Sequence, residues 1–265
     1  MILDKIVRHK KEEVALAKLS RSVAELEADL GTIEAPRGFE QSLRRRSTMS
    51  TAIIAEVKKG SPSKGIIRKD FDPVVIAKGY QSAGATCLSV LTDEQFFYGH
   101  LSYLSQIAAQ VELPLLRKDF IVDPYQIYEA RAHCADAILL IAASLDLSQL
   151  RDFHALACEL GMDVLLEVHN EQELELALQT ECTLLGINNR CLKSFKTDLG
   201  TSERLMKLIP PQRFVVSESG LHCREDIEQL QHAGAGAFLI GESLMREGDF
   251  AAKLRELIGE DCGTR

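Results

Sequence analysis

The stretch Ala52-Ile53-Ile54-Ala55-Glu56-Val57-Lys58-Lys59-Gly60-Ser61-Pro62-Ser63-Lys64-Gly65 runs from an apolar strand straight into a charged and then Gly/Ser/Pro-rich loop. An unbroken apolar run of this kind is the signature of a strand covered on both faces, and residues two apart on it point to the same side of the sheet. Glu56 and Lys58 therefore face one pocket from the strand end. The Gly60-Ser61-Pro62-Ser63 segment offers N–H groups and hydroxyls of the type a phosphate oxygen accepts from, although an ordinary solvated strand exit has the same composition.

Outward from this stretch, apolar runs alternate with amphipathic ones. The runs are Ile53-Val57, Thr86-Leu91, Leu113-Leu116, Ala137-Ile141, Val164-Leu166, Leu184-Ile187, Phe214-Val216 and Phe238-Ile240, which makes eight strands. Helix starts between them are marked by Asp72-Pro73, Asp123-Pro124 and the pair Asn170-x-x-Glu173, and helix stops by Gly84, Gly161 and Gly234. Ser82-Ala83-Gly84-Ala85 and His232-Ala233-Gly234-Ala235 echo one another at equivalent helix-to-strand turns. Eight βα units in 265 residues fit a (β/α)8 TIM barrel better than an open doubly wound sheet, whose Gly-rich fingerprint is absent.

Residues 1–48 differ from the rest. Ile2, Leu3, Ile6, Val7, Val14 and Leu19 mark a helical stripe among Lys and Glu, and Ser22-x-x-Glu25 reads as a capping box opening a second helix through Leu26 and Leu30. Gly31 and Pro36 end it, and a basic segment from Phe39 to Arg46 leads to the first strand. The expectation is one barrel domain over 1–265 with a helical N-terminal extension, either packed on the barrel or placed over its mouth as a substrate lid.

Charge and composition narrow the partners. A formal net charge of -8 and a pI near 5.5 repel nucleic acid and acidic membranes, so an anionic ligand must be held by locally placed Lys or Arg. The longest apolar runs, such as Ala137–Ala143, fall far short of the roughly 18 residues a membrane span needs. The N-terminus lacks the apolar core and small-residue cleavage site of a secretory signal, and a cytoplasmic location is expected. Cys87, Cys134, Cys158, Cys182, Cys191, Cys223 and Cys262 form no C-x-x-C pair, and the seven His show no ligand spacing, so neither disulfides nor a metal site is expected.

In a barrel the active site lies where strands end. Those ends carry Glu56 and Lys58; Lys118, Asp119 and Phe120; Glu167; Asn188 and Arg190; Glu218, Ser219 and Gly220; and Gly241, Glu242 and Ser243. Burying Lys or Glu costs several kcal/mol unless the group is paired or used, so the two lysines together with Glu56, Glu167 and Glu218 at one rim point to chemistry. The bland readings are that Glu56 and Glu218 only hold lysines in place, that Asp119 accepts from loop amides, and that Arg190 stays at the rim. The loops after strands seven and eight are where many barrels hold a phosphate. Phe97, Tyr98 and Phe120 form either an apolar wall for a planar ring or plain loop packing.

Six ordered motifs resemble those of the indole-3-glycerol phosphate synthase family along the whole chain. They are Ile54–Ser63, Leu116–Ile121, Leu166–Val168, Gly186–Arg190, Ser217–Gly220 and Leu239–Arg246, and the family's helical N-terminal extension is present too. The resemblance implies cofactor-free conversion of an anionic phosphosugar, 1-(2-carboxyphenylamino)-1-deoxyribulose 5-phosphate, to indole-3-glycerol phosphate with loss of CO₂ and water. By that analogy Lys118 is the general acid at the carbonyl, assisted by Glu56, and Lys58 holds the carboxylate and shares in dehydration. Glu167 is the base or a stabiliser of the developing cation, Asn188 orients the ring or a sugar hydroxyl, Glu218 tunes the lysines and Ser219 hydrogen-bonds the substrate. Ser61, Gly220, Gly241, Glu242 and Ser243 surround the phosphate, with Glu242 acting through its backbone N–H; Phe97, Phe120 and Arg190 complete the binding set.

Two rivals stand beside this reading. One is another phosphosugar barrel, a Schiff-base aldolase or a phosphoribosyl isomerase, since a strand-end lysine beside a phosphate site suits both. The other is a phosphosugar-binding barrel without catalysis, which gains nothing from buried carboxylates facing an anion. A monomer is expected ahead of a dimer.

Overall fold

A computed structural model describes residues 2–191 and 195–260. All eight expected strands form: β1 (Ala52–Val57), β2 (Cys87–Leu91), β3 (Leu115–Lys118), β4 (Ala137–Ile141), β5 (Asp163–Val168), β6 (Leu184–Asn188), β7 (Phe214–Glu218) and β8 (Ala237–Ile240). Every neighbouring pair is parallel, and β1 pairs with both β8 and β2, so the sheet closes into a (β/α)8 barrel. A two-residue hairpin, Gly60–Ser61 against Gly65–Ile66, shapes the loop after β1. Lys118, Glu167, Asn188 and Glu218 are the final or near-final residues of their strands rather than loop residues, because ladder pairing continues through them.

Alternation sorts each strand into two cores. Ile53, Ala55, Val57, Leu166, Val168, Leu185 and Ile187 face outward against the helices, whereas Ile54, Leu116, Leu139, Leu165, Leu184, Val216 and Leu239 fill the barrel. Phe39 and Leu43 of the helix Phe39–Ser47 join the interior cluster and plug its N-terminal end, so the basic segment foreseen before the first strand is a barrel floor.

The extension comprises α1 (Ile2–Ser20) and α2 (Val23–Leu30). Ser22 and Glu25 form the expected capping box, and Gly31 sits at the helix end. The buried face of α1 is Leu3, Ile6, Lys10 and Val14, spaced three, four and four residues apart. Leu19 was expected on this stripe; it lies off that register and is 84% exposed. Val14, Leu26 and Tyr125 pack together, which docks the extension onto the helix Tyr125–Ala132.

Asp72 caps the following helix as anticipated, and Gly84, Gly161 and Gly234 take positive φ of 91°, 78° and 115° at helix ends, where a side chain would be strained. Asp123 differs: Pro124 occupies the cap position, and the Asp123 carboxylate accepts from Tyr125 N–H and pairs with Lys18 of α1. Among the described residues no helix is long and apolar enough to cross a membrane, and no cluster of His, Cys, Asp or Glu is arranged to hold a metal ion. Cys87, Cys134, Cys158, Cys182 and Cys223 are free thiols; Cys262 lies outside the described residues.

Candidate active site

Four side chains from alternate strands form the top ring of the barrel interior: Glu56 from β1, Lys118 from β3, Glu167 from β5 and Glu218 from β7. Inward positions of a barrel are normally filled with branched apolar residues, and here the layers beneath are apolar. The charged ring is held together by its one lysine. Lys118 Nζ lies 2.5 Å from Glu218 Oε2 and 3.3 Å from Glu167 Oε2. Lys58, just beyond β1, pairs with Glu56 Oε2 at 3.3 Å and sits 5.7 Å from the Phe97 ring centroid. The two lysines thus have separate carboxylate partners.

Two glycines give the carboxylates their seats. A Cβ at Gly186 would collide with Glu218 Oε1, and one at Gly241 with Glu56 Oε2. Any larger residue there would push a carboxylate off its lysine.

The charges set the protonation states. Burial alone would pull Lys118 down, but Glu218, Glu167 and Glu56 outweigh it and hold the ammonium above its ordinary range. Burial raises Glu167, yet Lys118 and then His169 overcome it and keep this carboxyl well below the usual carboxylate range. Glu218 goes the other way: burial, helped by the negative charges of Glu167 and Glu56, outweighs Lys118 and brings it to about 7. The folded state therefore binds this proton more tightly than the unfolded chain, so its stabilising contribution is full below about 4.5 and is lost as pH rises through about 7. The same titration makes the site one charge more negative above pH 7. We expect kcat/KM for an anionic substrate to fall through an inflection near 7 in the free enzyme, and to lose that inflection in Glu218→Gln; an unchanged profile in the variant assigns the inflection to another group.

All of the expected site residues line one cleft. Phe97 and Phe120 stand 6.0 Å apart as an aromatic wall, with Leu91, Leu139, Ile141 and Leu239 adding apolar surface. Tyr98 is not part of that wall; it packs over Gly60. Asp119 is structural, accepting from Thr92 Oγ1 at 2.6 Å and from Phe120 N–H at 2.8 Å and pairing with Lys10. Arg190 sits at the rim, 2.9 Å from Glu242, whose carboxylate also meets Arg246 at 2.9 Å. Burial raises the Glu242 carboxyl, and Arg190, Arg246 and Lys64 more than reverse this, so its charge is neutralised within the rim.

At the β7 and β8 ends the backbone is irregular in a useful way. Ser219 and Gly220 both have positive φ, 68° and 81°. Ser243 Oγ donates to Leu221 O at 2.8 Å, tying the two loops together. Ser61 Oγ is buried on the cleft wall without a hydrogen-bond partner among the described residues.

Four groups of residues were not named as site residues from sequence. Ile2, Leu3 and Ile6 of α1 line the mouth, so the extension is both packed and part of the cleft. Lys10 is wholly buried beneath that wall, between Asp93 and Asp119; a lysine on an otherwise apolar helical stripe was the readable signal. Asn189 is buried, its Nδ2 donating to Glu218 O and Ser219 O at 3.1 Å and its Oδ1 accepting from Ser202, which fixes the strained turn after β7. His169, two residues after Glu167, contacts that carboxylate from behind.

The sequence model of indole-3-glycerol phosphate synthase matches residues 3–257. The chain belongs to that family. It is 48% identical over 259 residues to the indole-3-glycerol phosphate synthase of Aromatoleum aromaticum, covering 97% of this chain and 99% of the relative. The counterpart from Desulfotalea psychrophila is 52% identical over 258 residues, covering 97% and 98%. The family assignment expected from the six motifs therefore holds, and with it a carbon–carbon lyase of tryptophan biosynthesis. Solved structures of KGPDC from Streptococcus mutans (TM-score 0.62, 9% identity, 80% of this chain and 97% of that one) and of a mutant tryptophan synthase α-subunit from Pyrococcus furiosus (0.59, 15%, 79% and 98%) share the fold.

Proposed function

We propose that the charged ring and its cleft close the indole ring of 1-(2-carboxyphenylamino)-1-deoxyribulose 5-phosphate, with Lys118 as the acid at the ketone. The observation that supports this is Lys118 Nζ held between Glu218 and Glu167 at the floor of a cleft walled by Phe97 and Phe120. As the aryl carbon attacks the ketone carbon, its oxygen takes a proton from Lys118, with Glu56 assisting. CO₂ then leaves, and its bonding electrons restore the aromatic ring. In the last step the hydroxyl departs with a proton from a lysine, Lys58 sharing this task after holding the carboxylate. The proton of the neighbouring ring carbon goes to Glu167, and its bonding pair becomes the new double bond.

Asn188 and Ser219 orient the substrate by hydrogen bonds, and Glu218 tunes Lys118. The phosphate sits among Ser61, Gly220, Gly241, Glu242 and Ser243, near Arg190. Ser61 brings its unpartnered hydroxyl; Glu242 and Ser243 bring backbone N–H groups, since the carboxylate of one is neutralised by arginines and the hydroxyl of the other is engaged with Leu221. In the same reading the chain works without cofactor, as a monomer in the cytoplasm, with no nucleic-acid partner.

Purified protein given this substrate with a chelator present should release indole-3-glycerol phosphate, followed by indole fluorescence. Binding without turnover would favour the non-catalytic barrel, and borohydride trapping of substrate on Lys58 or Lys118 the aldolase.

A further inference from the structure

His169 follows Glu167 by two residues, so the two side chains leave the end of β5 on the same side. Its Nε2 lies 3.3 Å from Glu167 Oε1, a charge-to-charge contact outside hydrogen-bond geometry, whereas Lys118 approaches the other oxygen, Oε2, also at 3.3 Å. On its far side, Nδ1 lies 3.0 Å from Glu173 Oε2, which also accepts from the His169 backbone N–H at 2.8 Å. Asn170 Nδ2 donates to the remaining Glu173 oxygen at 2.6 Å. Glu173 thus departs from a plain capping box: Asn170 accepts from Glu173 N–H as expected, but the carboxylate turns back to the histidine. The imidazole is 7% exposed and the Glu167 carboxylate 4%.

A buried imidazole between two carboxylates keeps both ring protons. Burial pulls His169 down, and its contacts with Glu167 and Glu173 outweigh that and raise it to about 10. Among the described residues Glu167 and Glu173 are the two charged groups in contact with the ring, and Lys118 lies beyond Glu167.

We propose that His169 is a positioning residue that keeps Glu167 a carboxylate base while Lys118 is discharged. The inference rests on the reading of Lys118 as acid and Glu167 as base. Once Lys118 has given its proton to the substrate, Glu167 has a neutral amine on one oxygen and the negative charge of Glu56 in the same ring. A buried carboxyl in that setting takes up a proton, and the base is lost before dehydration. The imidazolium on Oε1 is a cation that the reaction does not consume. It also leaves Oε2, the oxygen on the Lys118 side, as the one that meets substrate.

The test compares kcat against pH in the parent enzyme, His169→Gln and Glu173→Gln. His169→Gln keeps an N–H donor and removes the charge, and Glu173→Gln loosens the hold on the second ring proton. Both variants should show the acidic limb of kcat moved up by about one pH unit or more, with kcat at pH 6 down about tenfold and KM changed little. Profiles superimposable on the parent's in both variants overturn the inference, and so does a pH-independent loss shared equally by kcat and KM. Should His169→Gln fail to fold, Glu173→Gln on its own decides by the same limb. Glu167→Gln is the control beneath it: near-normal kcat there overturns the base assignment itself, whereas an inactive Glu167→Gln beside an unmoved limb overturns only the role of His169.

Discussion

Lys118→Met should lower kcat by on the order of 10²–10⁴-fold while the barrel stays folded, as expected on removing a placed general acid. The side chains are of similar length and the Lys118 side chain is largely buried, so the loss isolates the proton and the charge. A variant with near-normal kcat would remove Lys118 from the acid role. The substitution also carries a pH signature in stability. Without the ammonium, Glu167 and Glu218 share one buried site: the Glu167 carboxyl rises past the ordinary 4.5, and Glu218, already raised to about 7 in the parent, rises further. Groups raised in the folded state stabilise fully below their unfolded value, and that stability is lost as pH rises through the folded one. Thermal unfolding of Lys118→Met should therefore approach the parent's near pH 5 and fall well below it near pH 8. Equal deficits at both pH values would mean the lysine contributes packing rather than charge.

Lys10→Met should destabilise the protein by about 3–5 kcal/mol, the usual cost of stripping one partner from a buried ion network. Lys10 Nζ lies 3.1 Å from Asp93, 3.1 Å from Asp119 and 3.0 Å from Glu13. Burial pulls this lysine down, but Asp119, Asp93 and Glu13 together hold it above its ordinary range. With methionine in its place Asp93 loses the Lys10 cation, and among the described residues Asp119 keeps Arg117, 3.2 Å away, as its ion partner. These two aspartates do more than pair: Asp93 accepts from Phe96 and Phe97 N–H, and Asp119 from Phe120 N–H. The network beneath α1 thus fixes both rings of the aromatic wall as well as Ile2, Leu3 and Ile6 at the mouth. Denaturant unfolding should show the lower midpoint, and steady-state kinetics a rise in KM larger than the change in kcat. Unchanged stability at pH 7 would show that water reaches the aspartates without the lysine. Against a total of roughly 5–15 kcal/mol this loss leaves the variant marginal but foldable.

The sequence by itself determined the barrel and most of the residues that meet at the candidate cleft. Period-two alternation is local, so Ile54 and Glu56 had to face one way and Ile53, Ala55 and Val57 the other, whatever surrounded them. Eight such runs separated by helical patterns leave one closed arrangement, and closure brings every strand end to one rim, which is why Glu56, Lys118, Glu167 and Glu218 were legible without coordinates. Where a residue's surroundings come from remote segments, the sequence was silent. Lys10 was visible as a charge on an apolar stripe, but its partners Asp93 and Asp119 come from the βα loops after β2 and β3. Two lysines and three glutamates could pair in several ways; only the packed barrel gives Lys58 to Glu56 and Lys118 to Glu167 and Glu218. The same holds for Glu218. Its glutamate was foreseen, but the elevation to about 7 arises from burial and from the carboxylates of β1 and β5, and those contacts exist only after the sheet has closed.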